Sequence, residues 1–287
     1  NFIVNINSKQ EMLGFSSLYN NNTAKRFDFK NEDLWLGPYQ INKHDLFERK
    51  NGNYFIMEES SEMGPIPLGP WTEQFQSLGY IADGLTNEFI WGGQDIVEID
   101  VNNQEVWRWQ VFDYFSMDDF DIYGGTWLNA LQNNYYDWTH SNSIYFNEED
   151  SSIYLSSRHL SRITKIDYPS GEVIWMMGLP DEFGTGNQNI CTDLRFSFQH
   201  HVTILNNGNL LFFDNGNLSM FVDDTDYKTS RIFEVKVLNN QNCEIVWEYE
   251  LPQNYFASSM SGGQKIGDEH YLINARGANG NNGRIFE

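Results

Sequence analysis

Histidine is scarce in this sequence, with six in 287 residues, and cysteine is scarcer, with two. Neither Cys191 nor Cys243 has the C-x-x-C spacing of a metal or redox site, and one possible disulfide in a chain this size is as compatible with two buried thiols, the expected state, as with secretion. Positive charge is also short: 18 Lys and Arg face 40 Asp and Glu, for a net charge of -22. A chain so acidic repels phosphate backbones and anionic headgroups, which sets aside nucleic-acid and membrane partners. No apolar run approaches the roughly 18 to 20 residues that cross a bilayer, and no cationic segment followed by an apolar stretch marks a signal peptide. The sequence begins NFIVNIN without an initiator methionine and stops at GRIFE in mid-pattern, which leaves room for a leader or further sequence at either end. Helical periodicity is nearly absent.

What is present is a folded, aromatic-rich composition, 40% hydrophobic and 16% aromatic. Apolar and polar residues alternate over short runs, broken about every ten residues by Gly, Asn, Asp and Ser, which is an all-β pattern. Asn51-Gly52-Asn53 and Asn207-Gly208-Asn209 supply residues that accept positive φ and mark hairpin tips.

The pattern repeats. One half of the unit is a hairpin headed by histidine: His44 in KHDLFERKNGNYFI, His140 in DWTHSNSIYFNEEDSSIYLSSR and His200 in FQHHVTILNNGNLLFF. The other half is a hairpin ending in Trp, at 95 to 109, 163 to 175 and 232 to 249. A further first half lies at 261 to 277, GRIFE opens its second half, and residues 1 to 40 hold at least one degenerate unit. Four-stranded units recurring along one chain argue for a β-propeller, one domain over 1–287, with the terminal Trp residues filling the space between blades. A sandwich or jelly roll does not predict the repeat. Insertions at 60 to 93, 111 to 137, 178 to 197 and 216 to 229 are expected to decorate the entrance and shape a pocket.

A propeller runs its innermost strands along a central channel, so residues heading those strands meet at one mouth. Strand alternation places Asn142 with His140 and allows only one of His200 and His201 to face the channel; register with the other heads selects His200. Arg158 ends the second strand of the same hairpin as His140. Three histidines suit Zn or Cu, but the adjacent Arg158 repels a cation, so no metal is expected and the group reads as an anion site. Asp214-Asn215 reads as a turn, and Ser230-Arg231 as a brace within a blade.

These segments resemble the bacterial arylsulfate sulfotransferases, and the resemblance covers most of the chain from about residue 40. It implies a propeller of six four-stranded blades that moves a sulfuryl group from a small-molecule aryl sulfate donor to a phenolic acceptor. It also implies that no cofactor or nucleotide sulfate donor is used, that a sulfated histidine forms on the way, and that the compartment is periplasmic or extracellular. Carried over residue by residue, the histidine of the Gln-His motif is His200, the Asp-x-x-His-x-Asn motif supplies His140 and Asn142, the Ser-Ser-Arg motif supplies Arg158, and the early His-Asp motif supplies His44. Periplasmic members carry a cysteine pair ahead of the Gln-His motif, and here that loop holds only Cys191.

The residue chemistry agrees. A sulfate ester spreads negative charge over its non-bridging oxygens and calls for positioned cations and N–H donors, roles suited to Arg158, His44 and Asn142. Neutral His200 can attack without a separate base, while His140 carries the proton of the leaving and entering phenols. Exposed charge beyond roughly 8 Å is screened at physiological salt, so local cations prevail in the pocket. Trp71, Tyr80 and Trp127 are candidates to stack on an aryl ring. The alternative is a non-catalytic propeller that binds a sulfated or aromatic ligand.

Overall fold

The computed structural model describes residues 2–6, 9–16, 23–39, 41–184, 186, 188–276 and 283–287. Residue 277 of the last repeat and residues 17–22 of the first lie outside them. The described residues form five small sheets in the ring arrangement of a five-bladed β-propeller.

The first sheet is β1 (Phe2–Ile6), β2 (Met12–Ser16), β3 (Thr23–Phe27) and β4 (Asp33–Leu36), in that order. The second is β5 (Leu46–Glu48), β6 (Tyr54–Pro65), β7 (Asn87–Ile99) and β8 (Glu105–Trp109), with the two-residue β9 (Tyr136–Asp137) paired parallel to β7. The third holds β10 (Ser141–Asn147), β11 (Ser152–Ser157), β12 (Arg162–Asp167), β13 (Val173–Gly178) and a parallel β14 (Asn189–Ile190). The fourth holds β15 (His200–Ile204), β16 (Leu210–Asp214), β17 (Arg231–Leu238) and β18 (Asn242–Glu250). The fifth is β19 (Gly262–Lys265), β20 (Tyr271–Ala275) and β21 (Arg284–Phe286). Innermost strands adjoin in turn: β5 meets β10, β10 meets β15 and β15 meets β19.

The expectation of six blades is corrected to five among the described residues. The first 40 residues supply one whole sheet. The insertion at 60 to 93 adds no blade because its ends lengthen β6 and β7, which pair from Tyr54↔Ile99 out to Pro65↔Asn87. The other insertions carry short helices, the longest being Thr126–Asn133.

Blades are joined by repeated devices. Trp35 on β4 stacks on Tyr54 of the next blade at 3.8 Å, and Trp247 on β18 stacks on Tyr271 of the next at 3.7 Å. Trp109 is buried and donates to the Gly171 carbonyl in the following blade at 3.0 Å. Glu98 on β7 and Glu234 on β17, both fully buried, are a second device. Glu98 accepts from Asn53, Arg49 and Tyr168, at 2.8, 2.7 and 2.6 Å. Glu234 accepts from Asn209, Lys265 and Tyr271, at 2.6, 2.8 and 2.5 Å. In each case the Asn comes from the Asn-Gly-Asn turn, whose Gly52 and Gly208 sit at φ of 93° and 81°. The Tyr comes from the adjoining blade. A buried carboxylate with several donors is stable because every lone pair lost from water is replaced.

Two further expectations are corrected. Cys191 and Cys243 are a disulfide joining the third blade's outer loop to β18, because the loop folds back over the interblade core that both cysteines border. Trp71 and Trp127 are buried and stack on each other at 5.6 Å. Tyr80 packs on Phe75 and Phe89. All three belong to the core around β6, β7 and the insertion helices, where apolar burial outweighs exposure at a pocket wall.

Candidate functional site

The heads of the inner strands converge as the repeat implies. His44 lies two residues before β5, His140 one residue before β10, and His200 opens β15. The backbone there is unusual: His140, Phe198, His201 and Met260 all have φ between 46° and 57°, and Ser261 has 83°. Non-glycine residues at positive φ cost about 1 to 3 kcal/mol and persist where surrounding contacts enforce them. Here those contacts cluster at one end of the blades.

His140 and His44 meet edge to face, with ring centroids 4.7 Å apart. His140 Nδ1 bonds the carboxylate of Asp137. Burial alone would raise that carboxyl, but the hydrogen bond from His140 and the nearby imidazoles together hold it below the usual range. His44 Nδ1–H donates to Asn42 Oδ1 at 2.9 Å, and Asn42 in turn donates to Glu59 at 2.7 Å. Burial, with the adjacent His140 next in weight, lowers His44 to about 4. Both rings are half-buried, and both present a nitrogen free of these bonds.

His200 is buried, and its tautomer follows from its neighbours. The side-chain amide of Asn215 donates to the carbonyls of Ala257 and Met260 at 2.6 and 3.0 Å, so its Oδ1 faces the ring. That oxygen accepts at 2.7 Å, which places the proton on Nδ1. The lone pair is therefore on Nε2, where it accepts the Met260 N–H at 3.2 Å. Burial, then the charge of Arg158, pushes the imidazole down to about 3, so it is neutral at pH 7. His201, next in the chain, is exposed. A register shift between His200 and Thr203 follows the pair.

Gln199 anchors this strand head. Its amide donates to Ser156 Oγ at 2.9 Å and to the carbonyls of Arg162 and Ser157, at 2.9 and 3.3 Å. Asn142 is buried and donates to the Gln199 carbonyl at 2.8 Å, so it ties β10 to β15 directly behind His200. Asp45 makes the corresponding tie on the other side, accepting the Ile144 N–H at 2.9 Å, and burial raises its carboxyl to about 7.

Arg158 lies against the Phe198 ring, 4.6 Å from its centroid. Nη2 donates to the Ser258 carbonyl at 3.2 Å and Nη1 to Nε2 of His159 at 2.7 Å, while the buried Nε–H has no partner among the described residues. Burial lowers the guanidinium to about 10, which leaves it cationic at neutral pH. His159 is itself buried and neutral: Nδ1–H donates to the Asp137 carbonyl at 2.6 Å, and burial, then His140, holds it down to about 3. Asp137 thus holds His140 with its carboxylate and, through His159, holds Arg158 with its main chain.

Ligating atoms of Asp137, His140 and His159 lie within 4.8 Å of one another. His159 has no lone pair to offer a metal, because one nitrogen carries the proton given to Asp137 and the other takes an Arg158 N–H. The group suits an anion better than a cation, since Arg158 forms no ion pair among the described residues and lies within electrostatic reach of both His44 and His200.

His44, His140, Arg158 and His200 are therefore brought together, each within electrostatic reach of the others. Sequence reasoning missed His159, Asp137 and Asn215 as working residues. Asp137 stands in the motif that supplied His140, and His159 directly follows Arg158, so both were adjacent to a signal; Asn215 looked like part of a turn. Arg231 and Ser230 brace the fourth blade as expected, Arg231 on Asp214 at 2.9 Å and Ser230 on the Asn215 carbonyl at 2.9 Å.

Among solved structures the chain is similar to a protein of unknown function from Bacteroides caccae, with 12% identity and a TM-score of 0.46 over 85% of this chain and 65% of that one. It is also similar to a streptogramin B lyase, at 11% identity and a TM-score of 0.47 over 100% of this chain and 67% of that one. A virginiamycin B lyase from Staphylococcus aureus gives 11% identity and 0.46, over 99% and 68%. The chain thus spans about two thirds of the length of these structures. No curated protein matches it. Residues 91–285, more than half the chain and including His140, Arg158 and His200, match the family model Arylsulfotransferase (ASST), and the chain belongs to the arylsulfotransferase family.

Proposed function

We propose that this chain transfers a sulfuryl group from an aryl sulfate to a phenol through a covalent intermediate on His200. The observation that carries this reading is the fixed tautomer of a buried, neutral His200, whose Nε2 carries the lone pair, within electrostatic reach of an Arg158 that forms no ion pair among the described residues.

In the first half-reaction Nε2 attacks sulfur, the Nε2–S bond forms, and the bond from sulfur to the aryl oxygen breaks. The electron pair leaves with the phenolate, which takes a proton from His140. In the second half-reaction His140 accepts the proton of an incoming phenol, the phenolate attacks sulfur, and Nε2 is released. Each half is balanced by one proton on His140. Arg158 offsets charge on the sulfuryl oxygens, in a site where low dielectric strengthens the contact, whereas neutral His44 has given its N–H to Asn42 and keeps a lone pair on its other nitrogen. Asn142 and Gln199 hold the strand on which His200 rides. Asp137 orients His140 and stabilises its protonated form, the second role a histidine acid and base requires.

Family membership supports aryl sulfotransferase activity in general. A periplasmic or extracellular compartment is supported by the Cys191–Cys243 bond, since structural disulfides persist in oxidising environments. No helix among the described residues is long and apolar enough to cross a membrane.

The test is incubation with 4-nitrophenyl sulfate. Release of nitrophenol in one equivalent without acceptor, and catalytically once a phenol is added, is the expected result. Binding without release sinks the transferase reading and leaves a binding module.

A further inference from the structure

The fifth blade supplies a fourth strand head to the same mouth. Ser141↔Ser157 pairing in the third blade sets His140 opposite Arg158, and the Arg158 N–H donates to the His140 carbonyl at 3.2 Å. Gly262↔Asn274 pairing in the fifth blade sets Met260 opposite Arg276 by the same register. Arg158 directly follows β11 and Arg276 directly follows β20. Arg276 therefore occupies the repeat position of Arg158.

Its contacts carry the equivalence further. Arg276 Nη1 donates to Ser259 Oγ at 2.9 Å and reaches Met260 Sδ at 3.5 Å, and its main-chain N–H donates to Ser261 Oγ at 3.0 Å. Arg158 grips the neighbouring Ser258 carbonyl. One tripeptide, Ser258 to Met260, thus lies between two guanidinium groups, and its last amide rests on Nε2 of His200. Arg276 is exposed and has no carboxylate within ion-pair distance among the described residues, although acids outnumber bases 40 to 18 in the chain. An arginine without an ion pair among the described residues, gripping the residue whose amide rests on Nε2 of His200, is placed for an anion from outside the chain.

We infer that Arg276 is a second sulfate-binding residue, which works with the Met260 N–H to hold the sulfuryl oxygens on the side away from Arg158. When Nε2 bonds to sulfur its lone pair is consumed, and the Met260 N–H loses the acceptor it has in the free protein. The nearest new acceptor is a sulfuryl oxygen, so the amide donates to the group that displaced it. This deepens the transferase reading but needs only that the site bind a sulfated or sulfonated aryl anion.

The test uses 4-nitrobenzenesulfonate, whose carbon–sulfur bond cannot be transferred, titrated calorimetrically into the native chain and into Arg276→Ala. We expect about tenfold weaker binding in Arg276→Ala, the scale of one charge-assisted hydrogen bond, with Arg276→Lys between the two and Lys236→Ala, an exposed site on β17, unchanged. Unaltered thermal melting of Arg276→Ala separates binding from folding. Equal affinity of native chain and Arg276→Ala, or no binding by the native chain, overturns the inference. Arg276-dependent binding without nitrophenol release from the sulfate ester overturns the transferase reading alone.

Discussion

Asn215 Oδ1 lies 2.7 Å from Nδ1 of His200, and the amide nitrogen of the same side chain is committed to two backbone carbonyls. The asparagine cannot turn round, so the imidazole cannot exchange its proton between nitrogens without losing a buried hydrogen bond. Asn215→Ala should lower the rate of nitrophenol release on the order of tenfold to a hundredfold, the cost of one buried hydrogen bond lost from the transition state. An unchanged rate would show that the tautomer does not matter.

Asp137 offers a separation of roles. Asp137→Asn keeps the main-chain carbonyl that holds His159, and hence Arg158, while removing the charge that orients and stabilises protonated His140. A good leaving group needs little help from an acid. The loss should therefore be small with 4-nitrophenyl sulfate and at least about tenfold larger with unsubstituted phenyl sulfate, whose phenol has a pKa near 10. Equal losses with both donors would take His140 out of the proton-transfer role.

The site was readable in sequence where residue type and repeat position coincide. His44, His140 and His200 head three inner strands, and Arg158 ends a second strand, so register alone gathers them. The supporting partners were not readable for physical reasons. His159 and Asn215 act by aiming a single hydrogen bond at a ring, which depends on backbone angles such as the φ of 57° at Phe198 that no periodicity announces. The core was misjudged at Trp71 and Trp127, because an insertion that lengthens β6 and β7 makes its own apolar surface and buries its aromatics there. The disulfide depended on a fold-back of 52 residues, and chain spacing does not encode that approach.

Asp45 gives a pH dependence of stability. Its folded carboxyl is raised to about 7 by burial, above its ordinary value of 3.8. Its contribution to stability is therefore fully present below the unfolded value and is lost as pH rises through 7. Asp45→Asn does not ionise and should gain stability relative to the native chain between pH 4 and pH 8, on the order of 1 to 3 kcal/mol, read from urea midpoints at both values. A constant difference would place the Asp45 carboxyl in its ordinary range.

The Cys191–Cys243 bond closes a loop with a sequence separation of 52. Loop-closure entropy gives about 4 kcal/mol for that length, so Cys191→Ser with Cys243→Ser should unfold at markedly lower urea. The bond sits at the outer side of the third and fourth blades, away from the strand heads. Nitrophenol release at 25 °C should therefore stay within about twofold of native, whereas a large loss of activity in a still-folded variant would tie the outer loop to the site.

The central claim is that Nε2 of His200 carries the sulfuryl group. Mass spectrometry of proteolytic peptides, taken under mildly basic conditions after exposure to 4-nitrophenyl sulfate without acceptor, reads this directly. The account predicts one added SO3 on the peptide containing His200, assigned to His200 by fragmentation and lost when a phenol is supplied. A sulfuryl group on His201, His140 or a hydroxyl side chain, or catalytic transfer by His200→Ala, would contradict it.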